Sequence, residues 1–410
     1  MSDHKHKSTG AALKPWLPVL TLSLCTFIFS TSEFIPIALL VSIGESLGTS
    51  EAQTGWLVTA YAWMVAILSL PLMVLASKIE MRRLMLMIVG LFFASQLVAS
   101  VAANYGMLLV ARVGVACSHA IFWSMVTPLA VEVAPERRSA AALSIVMMGS
   151  SIAMIFGLPF GRLLGLWLGW RMSFLTIALL AAIVLLCLYK LFPKVPSRHA
   201  VTLREVPKLL SSRILLGICI MTPIMITGNF TLYSYIVPFL GQTAHLSPGV
   251  ITWMIATYGG VGIVTSWLFS RYYDRYSRAF FAIALVGLAA SLLLVKAATA
   301  SAVTVFALCL LWGFCVASFN LTFQAIIIAS TPKGTTVAMS AYSGIYNIGI
   351  GLGALVGGLV LTHFDIGAIG YAGGSIATLG ALWGLLFVLP AAVAVGAIAT
   401  TSRYRTSIKE

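Results

Sequence analysis

The segment from residue 193 to residue 212 has the sequence PKVPSRHAVTLREVPKLLSS and is the longest polar break in the chain. On each side of it lie apolar runs of the length that a helix needs to cross a bilayer, which is about 20 residues. Six of these runs precede the break and six follow it. We therefore predict an all-α integral membrane protein, with twelve transmembrane helices in two pseudo-symmetric six-helix bundles joined by this segment.

The limits of the predicted spans follow from the short polar gaps between the apolar runs. They lie near residues 16–41, 53–77, 84–102, 105–131, 139–165, 170–192, 213–240, 249–270, 279–298, 302–330, 335–362 and 368–398. The corresponding domain prediction is an N-terminal tail at 1–15, a first bundle at 16–192, a linker at 193–212, a second bundle at 213–398 and a C-terminal tail at 399–410.

The composition supports a membrane protein and excludes several soluble classes. Of the 410 residues, 60% are apolar and 9% are charged, and the mean hydropathy is +1.02. A soluble globular chain carries about 25% charged residues. A cytoplasmic enzyme and a nucleic-acid binder are therefore excluded, and the net charge of +14 is expected in loops that face an anionic leaflet.

The distribution of basic residues gives the orientation. If the N-terminus is cytoplasmic, the outward-facing gaps hold only Arg162, Arg171 and Lys296, whereas the tails and the inward-facing gaps hold twenty-one basic residues. Basic residues concentrate in cytoplasmic loops. Both termini are therefore predicted to be cytoplasmic.

Two charged residues, Glu33 in span 1 and Arg112 in span 4, do not fit at a span end. Each costs roughly 2.5 to 3.5 kcal/mol or more at the centre of a lone helix. Their depths below the outer surface agree, at roughly 10 to 12 Å for a rise of about 1.5 Å per residue, so we predict an ion pair between them. One interpretation is a static pair that only holds the bundle together. The other makes Glu33 a proton carrier that is switched by its distance from Arg112.

His119 lies seven residues after Arg112, on the same face of span 4, and Trp123 follows four residues later. A lone histidine in an apolar helix is often a hydrogen-bonded core residue. The alternative is a cavity-facing histidine that binds substrate or relays protons, since its titration range permits both protonation states.

The second half has no deep ionisable group, but its spans contain amides and phenols. Asn229 with Tyr233, and Asn320 with Gln324, are spaced to share one helix face. Tyr346 and Asn347 lie in span 11, near Tyr342, and Tyr258 lies in span 8. These groups suit a neutral polar ligand, although each could equally join two helices.

Small residues repeat in spans 5 and 11. Gly157 and Gly161 fall on Gly353 and Gly357 after a shift of 196 residues, which indicates two halves repeated in parallel. Pro159 lies between the first pair and permits a bend. The strip predicts either tight packing alone or a hinge or seal where the halves meet.

The same residues carry a resemblance to the major facilitator superfamily. Gly157, Pro159 and Gly161 resemble the span 5 motif of its drug:proton antiporter branch, and RVGVACSHAIFW from Arg112 to Trp123 resembles that branch's Arg-containing motif. The loop ASKIEMRR is similar to the loop motif of the family, with Ser77 where Asp is expected and Glu80 where Gly is expected. The equivalent loop after span 8 keeps Asp274 and Arg275.

Within that branch, TSEFIPIALL, SHAIFWS and SGIYNIGIGLGALVGG are most similar to the bacterial sugar efflux transporters. The resemblance implies a proton-driven exporter of sugars or sugar-like solutes, such as arabinose or thiogalactosides, in the bacterial inner membrane. Multidrug or nucleoside efflux and proton-coupled sugar import are the alternatives. We expect no enzyme activity, because G-x-S-x-G and H-E-x-x-H are missing from the sequence, and no cofactor or metal. The expected partners are a small-molecule substrate, protons and lipid, and we expect a monomer.

Overall fold

The structure of the protein is a computed structural model that describes residues 14–76, 79–136, 138–196, 212–330, 335–394, 396 and 398. Within these residues every regular element is a helix. In chain order the helices are α1 Leu17–Ala38, α2 Leu40–Leu47, α3 Glu51–Ala76, α4 Met81–Ser100, α5 Tyr105–Glu132, α6 Ser139–Ile152, α7 Leu158–Leu168, α8 Trp170–Leu191, α9 Arg213–Tyr233, α10 Ile236–Gln242, α11 Pro248–Ala282, α12 Leu288–Ala298, α13 Ala302–Ser330, α14 Thr335–His363, α15 Ile369–Trp383 and α16 Leu389–Ala394.

The long helices agree with the predicted spans. In the described ranges, eleven helical segments are long and apolar enough to cross a membrane. The 26-residue helix α3 lies where the second span is predicted. Spans 8 and 9 share the continuous helix α11, but Tyr276 has a non-helical backbone (φ −125°, ψ 32°) at the predicted loop between them. The all-helical, twelve-span prediction is confirmed.

By its internal packing the chain divides into two compact units. The first comprises Met1–Pro36 and Leu68–Val201, and the second comprises Ile37–Ile67 and Thr202–Glu410. The main division falls inside the predicted linker. The predicted domain limits stay a prediction, since most of the linker and of both tails lies outside the described residues.

The segment Ile37–Ile67 packs within the second unit through close contacts with α10 and α14. A Cβ atom on Gly55 would overlap the hydroxyl of Tyr235, and one on Gly351 would overlap the ring of Trp63. Gln242 donates a hydrogen bond of 2.7 Å to the carboxylate of Glu51. This segment therefore belongs to the second unit by specific steric and polar contacts.

The helix breaks repeat with the period found in the sequence. Leu39 separates α1 from α2 with φ −115° and ψ 16°, and Tyr235 precedes α10 with φ −120° and ψ 22°. The two positions are 196 residues apart, which is the offset that relates the glycines of spans 5 and 11. The chain therefore repeats its backbone breaks as well as its small residues.

The glycine strips also pack in corresponding places. Gly157 and Gly161 lie against side chains of α1, where a Cβ atom would overlap Thr31 or Ile35. Gly353 and Gly357 lie in the same way against α9 in the second unit. Since glycine has no side chain, each strip lets two helix backbones approach closely.

Two prolines explain local widening of the helices. Leu158 donates its N–H to the carbonyl of Ala153, five residues back, in a π-helical turn just before Pro159. Leu389 bonds to Gly384 in the same way before Pro390. Because proline lacks an N–H and its ring clashes with the carbonyl four residues earlier, the preceding turn adopts the wider spacing.

Candidate functional site

Arg112 lies on α5 and is buried, with 1% of its surface exposed. Its guanidinium donates to the main-chain carbonyl oxygens of Ser32 at 3.0 Å and Glu33 at 3.4 Å on α1. Pro36 lies within α1 and explains the first of these bonds. Because proline has no N–H, the carbonyl of Ser32, four residues earlier, lacks its helical donor, and the arginine supplies one.

This arrangement differs from the predicted ion pair between Glu33 and Arg112. The two helices are joined at the predicted depth, but the two guanidinium bonds described above go to the main chain and not to the carboxylate. The side chain of Glu33 is partly exposed. Within the described ranges its carboxylate has no hydrogen bond, and no charged nitrogen lies within 4.0 Å.

A third helix joins this group through Gln96 on α4. Its amide nitrogen donates to the hydroxyl of Ser32, and both residues are fully buried. The sequence analysis missed Gln96, because a single amide in an apolar span is equally typical of ordinary helix contacts. The polar cluster of the first unit thus consists of Glu33, Arg112, Gln96 and Ser32.

His119 is fully buried between α1 and its own helix. Its Nε2 atom lies 3.0 Å from the carbonyl oxygen of Phe29, and its Nδ1 atom lies 3.1 Å from that of Val115. A neutral imidazole has one N–H and can donate to only one of these oxygens, whereas an imidazolium can donate to both. The protonated form of His119 can therefore make one hydrogen bond more than the neutral form.

Aromatic rings close around this histidine. Phe29 stacks on Phe92 at 4.3 Å and on Phe122 at 4.1 Å between ring centroids, and its distance from the His119 ring is 4.7 Å. Trp123 meets Phe122 edge to face at 5.3 Å. The histidine and Trp123 are connected through this ring cluster, and the histidine faces the inside of the first unit.

The second unit contains a neutral cluster on three helices. The indole nitrogen of Trp312 on α13 donates to the side-chain oxygen of Asn229 on α9 at 2.8 Å. Tyr233 stacks on Tyr258 of α11 at 5.1 Å, and Trp312 meets Tyr258 at 4.9 Å. A small pocket adjoins this cluster and is lined by Tyr233, Ile236, Leu240, Met254, Ile255, Tyr258, Cys309 and Trp312.

The structure joins the predicted pair Asn229 and Tyr233 into one cluster and adds Trp312, which the sequence analysis did not select. Asn320 and Gln324 lie on the same helix as Trp312 and are partly exposed. In the described part of the chain, no specific contact joins these two amides to Asn229 or Tyr233. The signal that could have identified Trp312 is an indole N–H in the middle of a span, since such a group needs an acceptor when buried.

On α14, Tyr346 lies edge to face with Tyr342 at 6.0 Å. Asn347 donates to the carbonyl of Ser343 at 3.0 Å, but its side-chain oxygen is buried and has no partner in the described residues. The hydroxyl of Tyr342 is buried and unpartnered in the same sense. A buried polar atom without a partner is costly, so these two atoms are candidates for bonds to a solute or water.

The predicted gating residues are placed as follows. Gly157 and Gly161 belong to the glycine strip that packs against α1, and Pro159 follows the widened turn between α6 and α7. The side chain of Asp274 lies outside the described residues. Arg275 is exposed, and its guanidinium lies 5.2 Å from the centroid of the Tyr276 ring.

The placement of Arg162 in an outward-facing gap is wrong. The helix continues to Leu168, six residues beyond it, and Arg162 is only 4% exposed. The predicted span at 139–165 already includes this arginine, so it does not belong with the basic residues of the outward-facing gaps. Among the described residues of the first unit, both Arg112 and Arg162 are therefore buried.

The model of the Major Facilitator Superfamily matches residues 22–236 and 218–408. A structure of a D-xylose–proton symporter matches with a TM-score of 0.72 at 16% identity, covering 92% of this chain and 98% of that one. A bacterial homologue of the human lysosomal transporter Spinster matches in an inward-facing, occupied conformation with a TM-score of 0.65 at 18% identity, covering 92% and 95%. The structure of its inward-facing, unoccupied conformation matches with a TM-score of 0.64 at 19% identity, covering 93% of this chain and 96% of that one. At these identities the structural matches show the fold.

Proposed function

Because the chain belongs to the major facilitator superfamily, we propose that it is a proton-coupled antiporter that exports sugars or sugar-like solutes across a bacterial inner membrane by alternating access. Arabinose and thiogalactosides are the solutes that the sequence resemblance favours. In this proposal the first unit handles the proton and the second unit contributes much of the solute binding.

The observation that carries the proposal is the position of Glu33 beside Arg112. The guanidinium is bonded to carbonyl oxygens of α1, so the carboxylate is near a fixed positive charge without being tied to it. Burial favours the protonated form of an acid, whereas a nearby positive charge favours the ionised form. A movement that changes the distance or the access of water therefore changes which form is stable.

His119 supports the same assignment. Its two ring nitrogens face two carbonyl oxygens, and one of these belongs to Phe29, one helical turn before Glu33. We propose that His119 senses or relays the proton from within the unit. Its complete burial and the ring of Phe29 separate it from bulk water.

The neutral cluster of the second unit supports a polar but uncharged solute. Asn229, Trp312, Tyr233 and Tyr258 offer hydrogen bonds and ring faces without a fixed charge that must be desolvated. The buried oxygen of Asn347 lacks a bond that a solute hydroxyl could donate. Asn320, Gln324 and Tyr346 lie on helices of the same unit and are further proposed solute-binding residues. In the first unit, His119 and Trp123 are proposed to bind solute as well.

The proposal is tested with the purified protein in lipid vesicles loaded with labelled arabinose or a labelled thiogalactoside. A pH gradient is imposed in each direction, and solute movement against its own gradient is measured. An antiporter moves the solute out of the compartment that protons enter. Solute movement in the same direction as the protons would instead indicate the importer.

A panel of competitors identifies the solute class. Unlabelled sugars should reduce the flux, whereas nucleosides and lipophilic cations should leave it unchanged. If only nucleosides or only cationic drugs reduced the flux, and sugars did not, the sugar assignment would be overturned in favour of the nucleoside or multidrug alternative. Glu136→Gln, which changes an exposed acid, is the matched control for every acidic variant.

The proposed location in the inner membrane, with both termini cytoplasmic, depends on the distribution of basic residues. The burial of Arg162 within α7 supports this orientation, because it leaves fewer basic residues in the outward-facing gaps. A tag at each terminus that is protected from added protease in intact, right-side-out vesicles would support this orientation.

A further inference from the structure

Glu80 stands in the loop after span 2, at the position where the family resemblance leads us to expect a glycine. It precedes α4 as the N-cap residue. One of its carboxylate oxygens accepts from the N–H of Arg82 at 3.0 Å, and the other accepts from the N–H of Arg83 at 3.0 Å. A carboxylate at this position satisfies free N–H groups of the first helical turn. Capping alone would account for these two bonds.

A third donor comes from outside the helix. The N–H of Val195 donates to the same Glu80 oxygen that accepts from Arg82, at 2.8 Å. In return, the N–H of Met81 donates to the carbonyl oxygen of Val195 at 3.0 Å. Val195 is 5% exposed and lies four residues after the end of α8, within the predicted linker. The start of α4 is thus bonded to the linker by a reciprocal pair.

A side chain strengthens the same junction. The guanidinium of Arg82 donates to the carbonyl oxygen of Tyr189 near the end of α8, and it lies 5.8 Å from the centroid of the Tyr189 ring. All of these residues belong to the first unit. The end of α8, the first linker residues and the start of α4 therefore form one connected structure.

We propose that Glu80 is a positioning residue that fastens the first linker residues, as far as Val195, to the start of α4 in the first unit. The effect of this junction on transport rests on the proposed function. Because the junction fixes where the chain enters the linker between the two halves, it should affect turnover more than solute affinity.

Hydrogen exchange at single backbone amides tests the junction directly, using the full-length protein in lipid nanodiscs. Loss of a charge-assisted bond is worth about a tenfold change in exchange rate. In Glu80→Ala, the amides of Val195, Arg82 and Arg83 should all exchange about tenfold faster. In Glu80→Asp the shorter side chain still caps the helix but no longer reaches Val195, so only the Val195 amide should accelerate. Glu136→Ala should change none of them.

Equal exchange of the Val195 amide in the unchanged protein and in Glu80→Asp would overturn the proposal, because the linker bond would then not exist in the membrane. The Asp variant retains the helix cap, so this result is decisive even if Glu80→Ala fails to fold.

Transport by the same variants tests the consequence. Glu80→Asp should lower the maximal rate of sugar transport several-fold at an unchanged half-saturating concentration. An unchanged maximal rate would contradict the positioning role. If the unchanged protein transports no sugar at all, the proposed function fails, but the exchange experiment still decides whether Glu80 holds the linker.

Discussion

The two compact units bury polar groups of different kinds. In the first unit a charged guanidinium bonds to main-chain oxygens that include one left without a donor by Pro36, and an acid lies beside it without a hydrogen bond of its own. In the second unit the side-chain oxygen of Asn229 accepts from Trp312, and both partners are neutral. In the proposed function, the first arrangement changes its charge when it binds a proton, whereas the second binds the hydroxyl groups of the solute and stays neutral.

The difference also shows how each unit tolerates buried polarity. The charge of Arg112 is offset by two carbonyl oxygens of α1. One of them, that of Ser32, would otherwise lack a donor because of Pro36, so the arginine does not need a carboxylate partner. The second unit has its own intrahelical proline, Pro223 in α9, but no charged group was identified in its cluster among the described residues. Among the described residues, an intrahelical proline thus lies next to a buried charge in the first unit and not in the second.

The largest expected effect is that of Arg112→Lys, which tests whether the first unit needs the guanidinium fork. A lysine cannot bond to both carbonyl oxygens in this geometry, so a buried acceptor loses its donor at a cost of about 1 to 3 kcal/mol, with a further cost for a poorly solvated ammonium. We expect a large fall in the thermal unfolding midpoint and loss of proton-driven transport, with solute affinity changed less than threefold. Arg83→Lys, on an exposed arginine, should have little effect on any of these.

A comparison of the two glycine strips should give the next largest effect. A Cβ atom on Gly353 would lie 2.7 Å from the main-chain oxygen of Thr227, which cannot move aside, whereas one on Gly157 would overlap the hydroxyl and ring ends of Thr31 and Phe27. Gly353→Ala should therefore destabilise the protein more than Gly157→Ala, within the range of about 1 to 3 kcal/mol for overpacking.

Thermal unfolding in detergent measures both variants against Gly90→Ala, because no atom lies within 4 Å of a Cβ at Gly90. If Gly157→Ala proved the more damaging of the two, the packing of the strips would differ from that described.

Trp312→Phe should have a smaller and more selective effect. It removes the indole donor to Asn229 but keeps an aromatic ring, so a bond worth about 1 kcal/mol is lost. We expect solute affinity to fall by about five- to tenfold, with no change in the number of protons moved per solute. Trp253→Phe, on a tryptophan that is 72% exposed, is the control. An altered proton-to-solute ratio in Trp312→Phe would contradict the proposal that the first unit handles the proton and the second unit binds the solute.

The smallest effect concerns pH and Glu80, which lies outside the membrane-spanning segments. Burial alone would raise the pKa of Glu80, but the N–H groups of Val195, Arg82 and Arg83 and the charge of Arg82 hold this pKa below its ordinary value of 4.5. A lowered folded-state pKa gives stability that is present above the ordinary pKa and is lost as the pH falls through the lowered one.

The unfolding midpoint of the unchanged protein should therefore exceed that of Glu80→Gln by a small amount at pH 7, and the difference should shrink below about pH 4.5. A difference that stays constant from pH 7 to pH 4 would show that the charge of Glu80 contributes nothing.

Much of the fold could be predicted from the sequence because the bilayer imposes a simple rule on length and polarity. Twelve apolar runs, a shift of 196 residues and the equal depth of Glu33 and Arg112 were sufficient to place the helices and to bring α1 and α5 together. The helix breaks at Leu39 and Tyr235 follow the same shift, although no residue type at these positions indicates a break.

The partners of the site could be predicted less well. A carboxylate is the expected partner for a buried arginine. Arg112 instead bonds to the carbonyl of Ser32, which Pro36 leaves without a helical donor. The spacing of Ser32 and Pro36, four residues apart in a span, contains this information, because it identifies a carbonyl without a helical donor. Trp312 and Gln96 could not be selected, since their contacts lie on other helices and depend on how those helices rotate.

The most direct test of the account is the release of protons when solute binds to the purified protein. In weakly buffered detergent solution, addition of arabinose or a thiogalactoside should release protons from the unchanged protein. Glu33→Gln should bind the same solute, as judged by calorimetry, but release none, whereas Glu136→Gln should behave as the unchanged protein does. Undiminished proton release from Glu33→Gln would contradict the central claim that the acid beside Arg112 carries the proton.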